Sequence, residues 1–320
     1  MNDITRRIYN CGIVPTVKIS DPNKAVPTAR ALYRGGIDIV EIVFRTDAAE
    51  EAIRKISAEC PEVLVGAGTV LTTAQVDAAV NAGAKFIVTP GFNPDTVKYC
   101  VAKNIPIVPG AITPGEMEQA MALGLDTVKF FPAEAAGGIP FLKAVAGPYK
   151  SLKFMPTGGI DEKNLASYTA LPNVVACGGS FPAKESLIEA EDYDAITRIA
   201  AETMKKILSF EIKHIGINSA DEKEAAKTAD ALSLMFGLEK DDRAGATFVG
   251  TLFEVLKKPF RGTCGHIAVS TNSPDRARAY LERLGFEFDE SSASYDEAGR
   301  LKVVYFKDEF GKFAFHLIKK

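Results

Sequence analysis

Tryptophan is absent from this chain of 320 residues, and histidine occurs only three times. The five cysteines are scattered and never form a C-x-x-C pair, so neither a disulfide framework nor a thiolate zinc site is expected. No run of about 18 apolar residues occurs, and no transmembrane helix is therefore predicted. The amino-terminal stretch contains Asp3, Arg6 and Arg7 and lacks the apolar segment of a secretory signal. These absences predict a cytoplasmic protein with reduced thiols.

Neither sign of charge dominates, because 38 Lys and Arg residues face 41 Asp and Glu residues, for a formal net charge of −3. Binding to nucleic acid or to an acidic membrane surface through an overall basic field is therefore not expected. The chain is 47% hydrophobic and 25% charged, which is ordinary for a soluble globular protein and excludes disordered or low-complexity architecture. At roughly 100–200 residues per domain, the length favours about two domains.

Up to about residue 208, short apolar runs alternate with amphipathic stretches at helical spacing. Eight such runs occur: Ile13–Ile19, Ile37–Phe44, Leu64–Val70, Phe86–Gly91, Ile105–Ile112, Thr127–Pro132, Lys153–Gly159 and Val174–Ser180. Near-continuous apolar strands are typical of a parallel sheet covered on both faces. Eight strand–helix units favour an α/β fold of the closed (β/α)8, or TIM, barrel type. A doubly wound open sheet is the alternative, although no G-x-G-x-x-G follows the first strand.

All three histidines lie beyond Lys206, where the character of the chain changes. His214–Asn218 and His266–Ser270 each begin a similar pattern of strand, helix and shorter strands, with a period of about 50 residues. Two copies are too few for a solenoid, so we predict a smaller α+β domain of paired βαβββ modules. The boundary is expected near Ser209, which divides the chain into a barrel of residues 1–208 and a second domain of residues 210–320.

Two charged residues interrupt apolar strands of the predicted barrel. Lys129 lies within Thr127–Pro132, where burial disfavours the ammonium form and makes the amine available as a nucleophile. A lysine that extends from a strand end to water is the alternative. Glu41 and Arg45 share one side of their strand by its period of two. They form either a structural ion pair or a general acid–base carboxylate beside a substrate-binding guanidinium.

Glycines stand at the ends of the last two predicted strands, in Pro156–Gly159 and Gly178–Ser180. Loops after strands seven and eight of such barrels often bind phosphate, and glycine leaves backbone N–H donors uncovered. Gly66–Thr69 adds a small-residue strand end with one hydroxyl. Imine chemistry on a phosphorylated keto acid, without metal or cofactor, is suggested by the combination of a lysine, a carboxylate, an arginine and a phosphate site.

Residues 1–208 resemble the class I aldolases of 2-keto-3-deoxy-6-phosphogluconate (KDPG), lyases of Entner–Doudoroff carbohydrate metabolism that also cleave 4-hydroxy-2-oxoglutarate (KHG). The motifs that carry the resemblance are Gly12–Pro15, Val40–Thr46, Gly66–Leu71, Thr89–Gly91, Val128–Glu134, Pro156–Ile160 and Gly178–Ser180. They span almost the whole predicted barrel in order. The resemblance implies a homotrimer that acts on a small keto acid.

The resemblance also implies roles for individual residues, with Lys129 as the Schiff-base lysine and Glu41 as the proton-transferring carboxylate. The residues implied to line the pyruvyl site are Arg45, Thr69 and Pro90, with Phe131 packing beside it. Those implied to bind the phosphate are Gly158, Gly159 and Ser180, with Thr157 nearby. This chain has Phe181 where the family commonly has tryptophan, a departure on the phosphate side of the site.

Residues 210–320 resemble the glyoxalase/bleomycin-resistance (vicinal oxygen chelate) superfamily. The motifs that carry this resemblance are His214–Ile217, Phe253–Leu256, Gly265–Val269 and Phe315–Ile318. The matching positions of that superfamily bind a divalent metal, and here they are His214, Glu254, His266 and His316, the last standing where glutamate is more usual. Three imidazoles and one carboxylate suit Zn, Ni, Fe or Mn. A scaffold that has lost its metal is the alternative.

The sequence also allows two other functional interpretations. The barrel is alternatively a phosphate-binding isomerase or epimerase, which would use carboxylates and form no Schiff base. The carboxy-terminal domain is alternatively a non-catalytic module that senses a metal or a metabolite.

Overall fold

The computed structural model describes residues 2–320. They form two compact units, one that ends at Ile207 and one of Leu208–Lys320. None of the helices in the described residues is both long and apolar enough to cross a membrane.

The first unit contains eight strands, each of which is followed by helical structure. The strands are β1 Ile13–Val17, β2 Ile39–Val43, β3 Leu64–Gly68, β4 Ile87–Val88, β5 Ile107–Val108, β6 Thr127–Phe130, β7 Lys153–Pro156 and β8 Cys177–Gly179. The α-helices are α1 Asp3–Cys11, α2 Ala25–Arg34, α3 Ala49–Glu59, α4 Thr73–Asn81, α5 Pro94–Ala102, α6 Pro114–Ala122, α7 Gly138–Val145, α8 Leu165–Thr169, α9 Glu185–Glu189 and α10 Tyr193–Leu208. Two short 3-10 helices are Pro22–Lys24 and Phe181–Ala183.

The eight strands close into a parallel ring. Six pair in the order β5-β4-β3-β2-β1-β8, and β6 pairs with β7. The bridge from Gly110 to Lys129 joins β5 to β6, and the bridge from Thr157 to Gly178 joins β7 to β8. The (β/α)8 barrel predicted from the eight apolar runs is therefore confirmed, and the open sheet is excluded.

Regular pairing is shorter than several of the apolar runs, above all in β4 and β5. The predicted runs Phe86–Gly91 and Ile105–Ile112 contain Pro90, Pro106 and Pro109, which have no N–H to donate to a ladder. Two paired residues remain in each strand, and the rest of each run extends toward the rim of the barrel.

Polar caps start several of the barrel helices. Thr72 and Gln75 form a reciprocal capping box before α4, and Thr113 and Glu116 form another before α6. Asn93 accepts hydrogen bonds from backbone N–H groups in the first turn of α5. Such caps satisfy N–H groups that have no partner inside the helix.

The second unit contains two βαβββ modules in succession. The first comprises β9 Glu211–Asn218, α11 Glu222–Phe236, β10 Lys240–Asp242, β11 Ala246–Val249 and β12 Phe253–Leu256. The second comprises β13 Gly265–Thr271, α12 Pro274–Arg283, β14 Phe288–Tyr295, β15 Leu301–Phe310 and β16 Phe313–Lys319. One sheet runs through both modules in the order β10-β11-β12-β9-β13-β16-β15-β14. This is the smaller α+β domain that the sequence repeat predicts.

The first strands of the two modules, β9 and β13, pair antiparallel and join the modules into one sheet. Side chains of α11 pack on one face of this sheet. The buried residues of that core are Ala225, Ala229, Val249 and Val255. The opposite face is therefore left to carry polar groups.

Candidate functional site

A lysine and a glutamate meet inside the barrel. Lys129 on β6 is 5% exposed and Glu41 on β2 is 0% exposed. Lys129 Nζ donates a hydrogen bond to Glu41 Oε1 over 3.3 Å. The Lys129 amine also lies 5.6 Å from the centre of the Phe131 ring. The structure thus brings together an amine and a carboxylate that are 88 residues apart in the chain.

The space around Glu41 depends on a glycine of the neighbouring strand. A Cβ atom built on Gly68 would lie 2.0 Å from Glu41 Oε1, so any larger residue at this position would displace the carboxylate. Glu41 Oε2 and Thr16 Oγ1 are both buried without a hydrogen-bond partner in the described part of the chain. Unsatisfied buried polar atoms are rare and call for an explanation such as a bound ligand. Glu41 therefore retains a free oxygen next to the amine.

The mouth of the barrel near β2, β3 and β4 carries the other residues implied for the pyruvyl site. Arg45 is exposed after β2, and its Nε donates to Thr69 Oγ1 over 3.1 Å. Thr69 adopts φ 55°, an uncommon conformation for a β-branched residue and one that is enriched at functional sites. Pro90 lies on the loop after β4, where a Cβ atom on Gly110 would lie 2.2 Å from its carbonyl oxygen. Gly110 bridges to Lys129, so this loop lies close to the lysine strand.

The glycine-rich ends of β7 and β8 lie side by side. Thr157 pairs with Gly178, and a Cβ atom on Gly178 would lie 2.2 Å from Thr157 Oγ1. Gly158 and Gly159 have φ values of 95° and 79°, a region in which side-chain-bearing residues are strained. Ser180 follows β8 and is exposed. The two loops present polar backbone and one hydroxyl at the same rim of the barrel.

Comparison with known proteins identifies the barrel unit. A family model described as "KDPG and KHG aldolase" matches residues 4–199. The chain belongs to this aldolase family. The 2-dehydro-3-deoxy-phosphogluconate aldolase of Haemophilus influenzae is 44% identical over 201 residues, which are 63% of this chain and 95% of that protein.

Solved structures of aldolases share the barrel. KDPG aldolase from Legionella pneumophila, with pyruvate captured as a covalent carbinolamine intermediate, has a TM-score of 0.61 and 36% identity, covering 62% of this chain and 97% of its own. The KDPG aldolase of Zymomonas mobilis ZM4 with 3-phosphoglycerate has a TM-score of 0.61 and 37% identity, covering 64% and 96%. The barrel unit of this chain is therefore a lyase of this family. Inside it, the buried Lys129 amine contacts the buried Glu41 carboxylate.

Two side chains outside the predicted set form hydrogen bonds beside these residues. Thr89 Oγ1 donates to the Gly91 carbonyl over 2.7 Å and accepts from the Gly110 N–H over 3.3 Å, which holds the Pro90 loop. Glu134, after β6, accepts a hydrogen bond from the buried Tyr168 hydroxyl. Both Thr89 and Glu134 stand in the sequence motifs that carry the resemblance, but Gly110 and Tyr168, to which they bond, lie in other segments of the chain.

Three of the four predicted metal-binding residues converge on the second sheet. His214 Nε2 lies 3.1 Å from His266 Nε2, and each of these atoms lies 3.2 Å from Glu254 Oε2. Hydrogen bonds from His214 and His266 lower the pKa of Glu254 to about 2. Donor atoms about 2.0–2.1 Å from one ion are spaced by about 3 Å. The three side chains therefore fit a common divalent ion.

The fourth predicted residue, His316, lies beside this group. Its ring centre is 5.3 Å from that of His266 and 5.7 Å from that of His214. Both ring nitrogens are buried without a hydrogen-bond partner among residues 2–320. Burial and the neighbouring imidazoles of His266 and His214 lower the pKa of His316 to about 3. At neutral pH the ring is uncharged, so its lone pair is available to a metal.

Strand register explains why these side chains share one face. Glu254 and His266 both pair with Gly216, whereas His214 and His316 both pair with Ala268. A Cβ atom on Gly216 would lie 2.2 Å from the His266 ring, so this glycine gives the imidazole room to lie over β9. Tyr305, which sequence reasoning missed, packs edge-on against His316 with a ring separation of 4.5 Å.

Proposed function

We propose that the barrel unit is a Schiff-base aldolase that cleaves KDPG to pyruvate and glyceraldehyde 3-phosphate, or KHG to pyruvate and glyoxylate. The contact of 3.3 Å between Lys129 Nζ and Glu41 Oε1 inside the barrel carries the proposal. A buried amine beside a carboxylate with a free oxygen has both groups that imine chemistry needs. The covalent carbinolamine of pyruvate named for the Legionella relative supports the same chemistry here.

In the proposed mechanism the neutral amine of Lys129 attacks the C2 ketone of the substrate. The resulting carbinolamine loses water and becomes a protonated imine. Glu41 then removes the proton of the C4 hydroxyl, directly or through one water, and the C3–C4 bond breaks. Its electron pair moves toward the imine nitrogen and leaves an enamine, and the aldehyde departs. Protonation of the enamine and hydrolysis release pyruvate and restore the amine, without a cofactor.

The two ends of the substrate would be held at opposite sides of the rim. The exposed Arg45 guanidinium, tied to Thr69, would pair with the substrate carboxylate near Pro90 and Phe131. Gly158, Gly159 and Ser180 would bind the phosphate of KDPG, with Thr157 behind them. The homotrimer implied by the resemblance stays a prediction.

Sodium borohydride should trap this intermediate. The full-length protein is mixed with pyruvate and reduced, and its intact mass and peptide map are then measured. We expect one reduced pyruvyl adduct on Lys129, because reduction converts the imine to a stable secondary amine. Folded protein without an adduct would contradict the proposal and favour the alternative hypothesis of an isomerase or epimerase.

We further propose that the carboxy-terminal unit is a vicinal oxygen chelate domain that binds one divalent metal ion. The convergence of His214, Glu254 and His266 supports this, and the neutral, unpartnered His316 is the fourth candidate ligand. Imidazole and carboxylate donors would accept Zn²⁺, Ni²⁺, Fe²⁺ or Mn²⁺. A non-catalytic sensing role, in which the metal or a metabolite stabilises this unit, remains the competing proposal.

Removal of metal tests the second proposal. Chelator-treated full-length protein is titrated with Zn²⁺, Ni²⁺ or Mn²⁺, and bound metal and thermal unfolding are measured. We expect about one equivalent and a higher unfolding temperature, because a ligand that binds only the folded state stabilises it. His266→Ala should weaken binding at least about tenfold, while aldol cleavage is unchanged.

The matched control is Glu287→Gln, which alters an exposed carboxylate paired with Lys307 in the same unit. Equal metal binding by His266→Ala and the unaltered protein would overturn the metal proposal, as would no binding of any of the three ions.

A further inference from the structure

Two loops of the barrel are joined beside the proposed phosphate site. The Ala133 N–H donates to the Thr157 carbonyl over 2.8 Å, and the Glu134 N–H donates to the Gly158 carbonyl over 3.1 Å. The loop after β6 therefore continues to pair with the loop after β7 beyond the ends of both strands. Lys129 lies on the first of these strands, and the glycines lie on the second loop.

The side chain of Glu134 lies directly against Gly159. A Cβ atom on Gly159 would lie 2.5 Å from Glu134 Cγ, so the glycine backbone packs on the glutamate side chain. The Glu134 carboxylate accepts a hydrogen bond from the hydroxyl of Tyr168, whose side chain is fully buried. Burial and the adjacent carboxylate raise the pKa of Tyr168, and the hydroxyl therefore stays protonated as a donor. This bond fixes the side chain on which Gly159 rests.

The helix that contains Tyr168 also holds Gly159 from a second direction. Asn164, which precedes α8, donates from Nδ2 to the Gly159 carbonyl over 2.8 Å. The Tyr168 N–H in turn donates to the Asn164 carbonyl over 3.2 Å. Residues of one short helical segment thus contact Gly159 in two ways. Asn164 binds its carbonyl, and Tyr168 binds the Glu134 side chain on which Gly159 packs.

We propose that Glu134, held by Tyr168, is a positioning residue that sets the Gly158–Gly159 backbone for the phosphate group of the substrate. Glycines with positive φ lose much conformational freedom on ordering, and a loop ordered before binding spares the ligand that cost. The inference rests on the proposed aldolase function, and it assigns this pair to substrate preference rather than to imine formation.

Kinetics of full-length variants test the proposal. Tyr168→Phe removes only the donor oxygen, Glu134→Ala removes the packing surface, and Glu134→Gln retains both the volume and an acceptor oxygen. We expect KM for KDPG to rise about tenfold in the first two variants, with kcat within about twofold. Glu134→Gln should recover most of the loss. The pyruvate concentration for half-maximal borohydride trapping should not change, because pyruvate has no phosphate.

The control is Tyr149→Phe, which removes a hydroxyl that donates to the exposed Glu118 over 3.0 Å elsewhere on the barrel. It should leave both measurements unchanged. An unchanged KM for KDPG in Tyr168→Phe would overturn the positioning role. Parallel loss of KDPG cleavage and pyruvate trapping would also overturn it, because the pair would then support the whole barrel. If Glu134→Ala does not fold, the KM of Tyr168→Phe for KDPG alone tests the positioning role. Absence of trapping in the unaltered protein would instead refute the aldolase mechanism itself.

Discussion

Replacement of Lys129 by alanine should abolish aldol cleavage, with kcat/KM lower by at least about 10⁴-fold. The physical reason is that the imine nitrogen accepts the electron pair of the breaking C–C bond, and without the amine no such acceptor forms. Lys129 is the amine that contacts Glu41 inside the barrel. The measurements are KDPG cleavage by coupled assay and borohydride trapping of pyruvate, both of which should be lost.

The matched control is Lys153→Ala on the adjacent strand β7. Lys153 pairs with Thr127 at the start of β6, two residues before Lys129 along that strand. Its amine donates to the Pro172 carbonyl. Turnover should survive this change. Removal of Lys129 leaves Glu41 buried without its partner and could destabilise the fold. A second variant, Lys129→Met, preserves the side-chain volume, and circular dichroism spectra show whether both variants are folded. Normal turnover of either folded variant would refute the Schiff-base mechanism.

Glu41→Gln should separate imine formation from proton transfer. The amide keeps the shape of the side chain and an oxygen for the Lys129 hydrogen bond, but it cannot take up a proton. We expect cleavage to slow by about 10²–10⁴-fold, the usual contribution of a positioned acid or base, while the pyruvyl adduct on Lys129 still forms. Exchange of the pyruvate methyl protons with deuterium, followed by NMR, measures the proton-transfer step directly and should slow by a similar factor.

The contrast with Lys129→Ala gives this prediction its control, because that variant should lose both the adduct and the exchange. Deuterium exchange at the unaltered rate in Glu41→Gln would assign proton transfer to another group. Complete loss of the adduct would instead show that Glu41 is needed to form the imine.

The class of the fold could be read from local patterns. Each of the eight apolar runs contains a strand of the barrel, and the intervening stretches contain helices such as α3 Ala49–Glu59 and α5 Pro94–Ala102. These predictions succeeded because a buried parallel strand and an amphipathic helix each impose a short period on neighbouring residues. The bounds of β4 and β5 were less predictable, since prolines that suit an extended conformation still cannot donate to a ladder.

Candidate site residues were predictable only where their chemistry is unusual for their position. Lys129 and Glu41 stand out as charges within apolar strands, and the three histidines stand out because the first 213 residues contain none. Glu134 and Tyr168 give no such signal, because a glutamate after a strand and a tyrosine in a helix are ordinary. Their hydrogen bond joins residues 34 positions apart.

The sequence by itself determined the kinds of element, their order, and the residue types available for chemistry, because these depend on interactions between residues close in the chain. Tertiary structure alone decided which of these residues meet. Closure of the ring brings Lys129 to Glu41, and strand register puts His214, Glu254 and His266 on one face of a sheet. A shift of one residue in register would turn such side chains to the opposite face, so the two candidate sites depend on contacts between distant segments that local propensity does not encode.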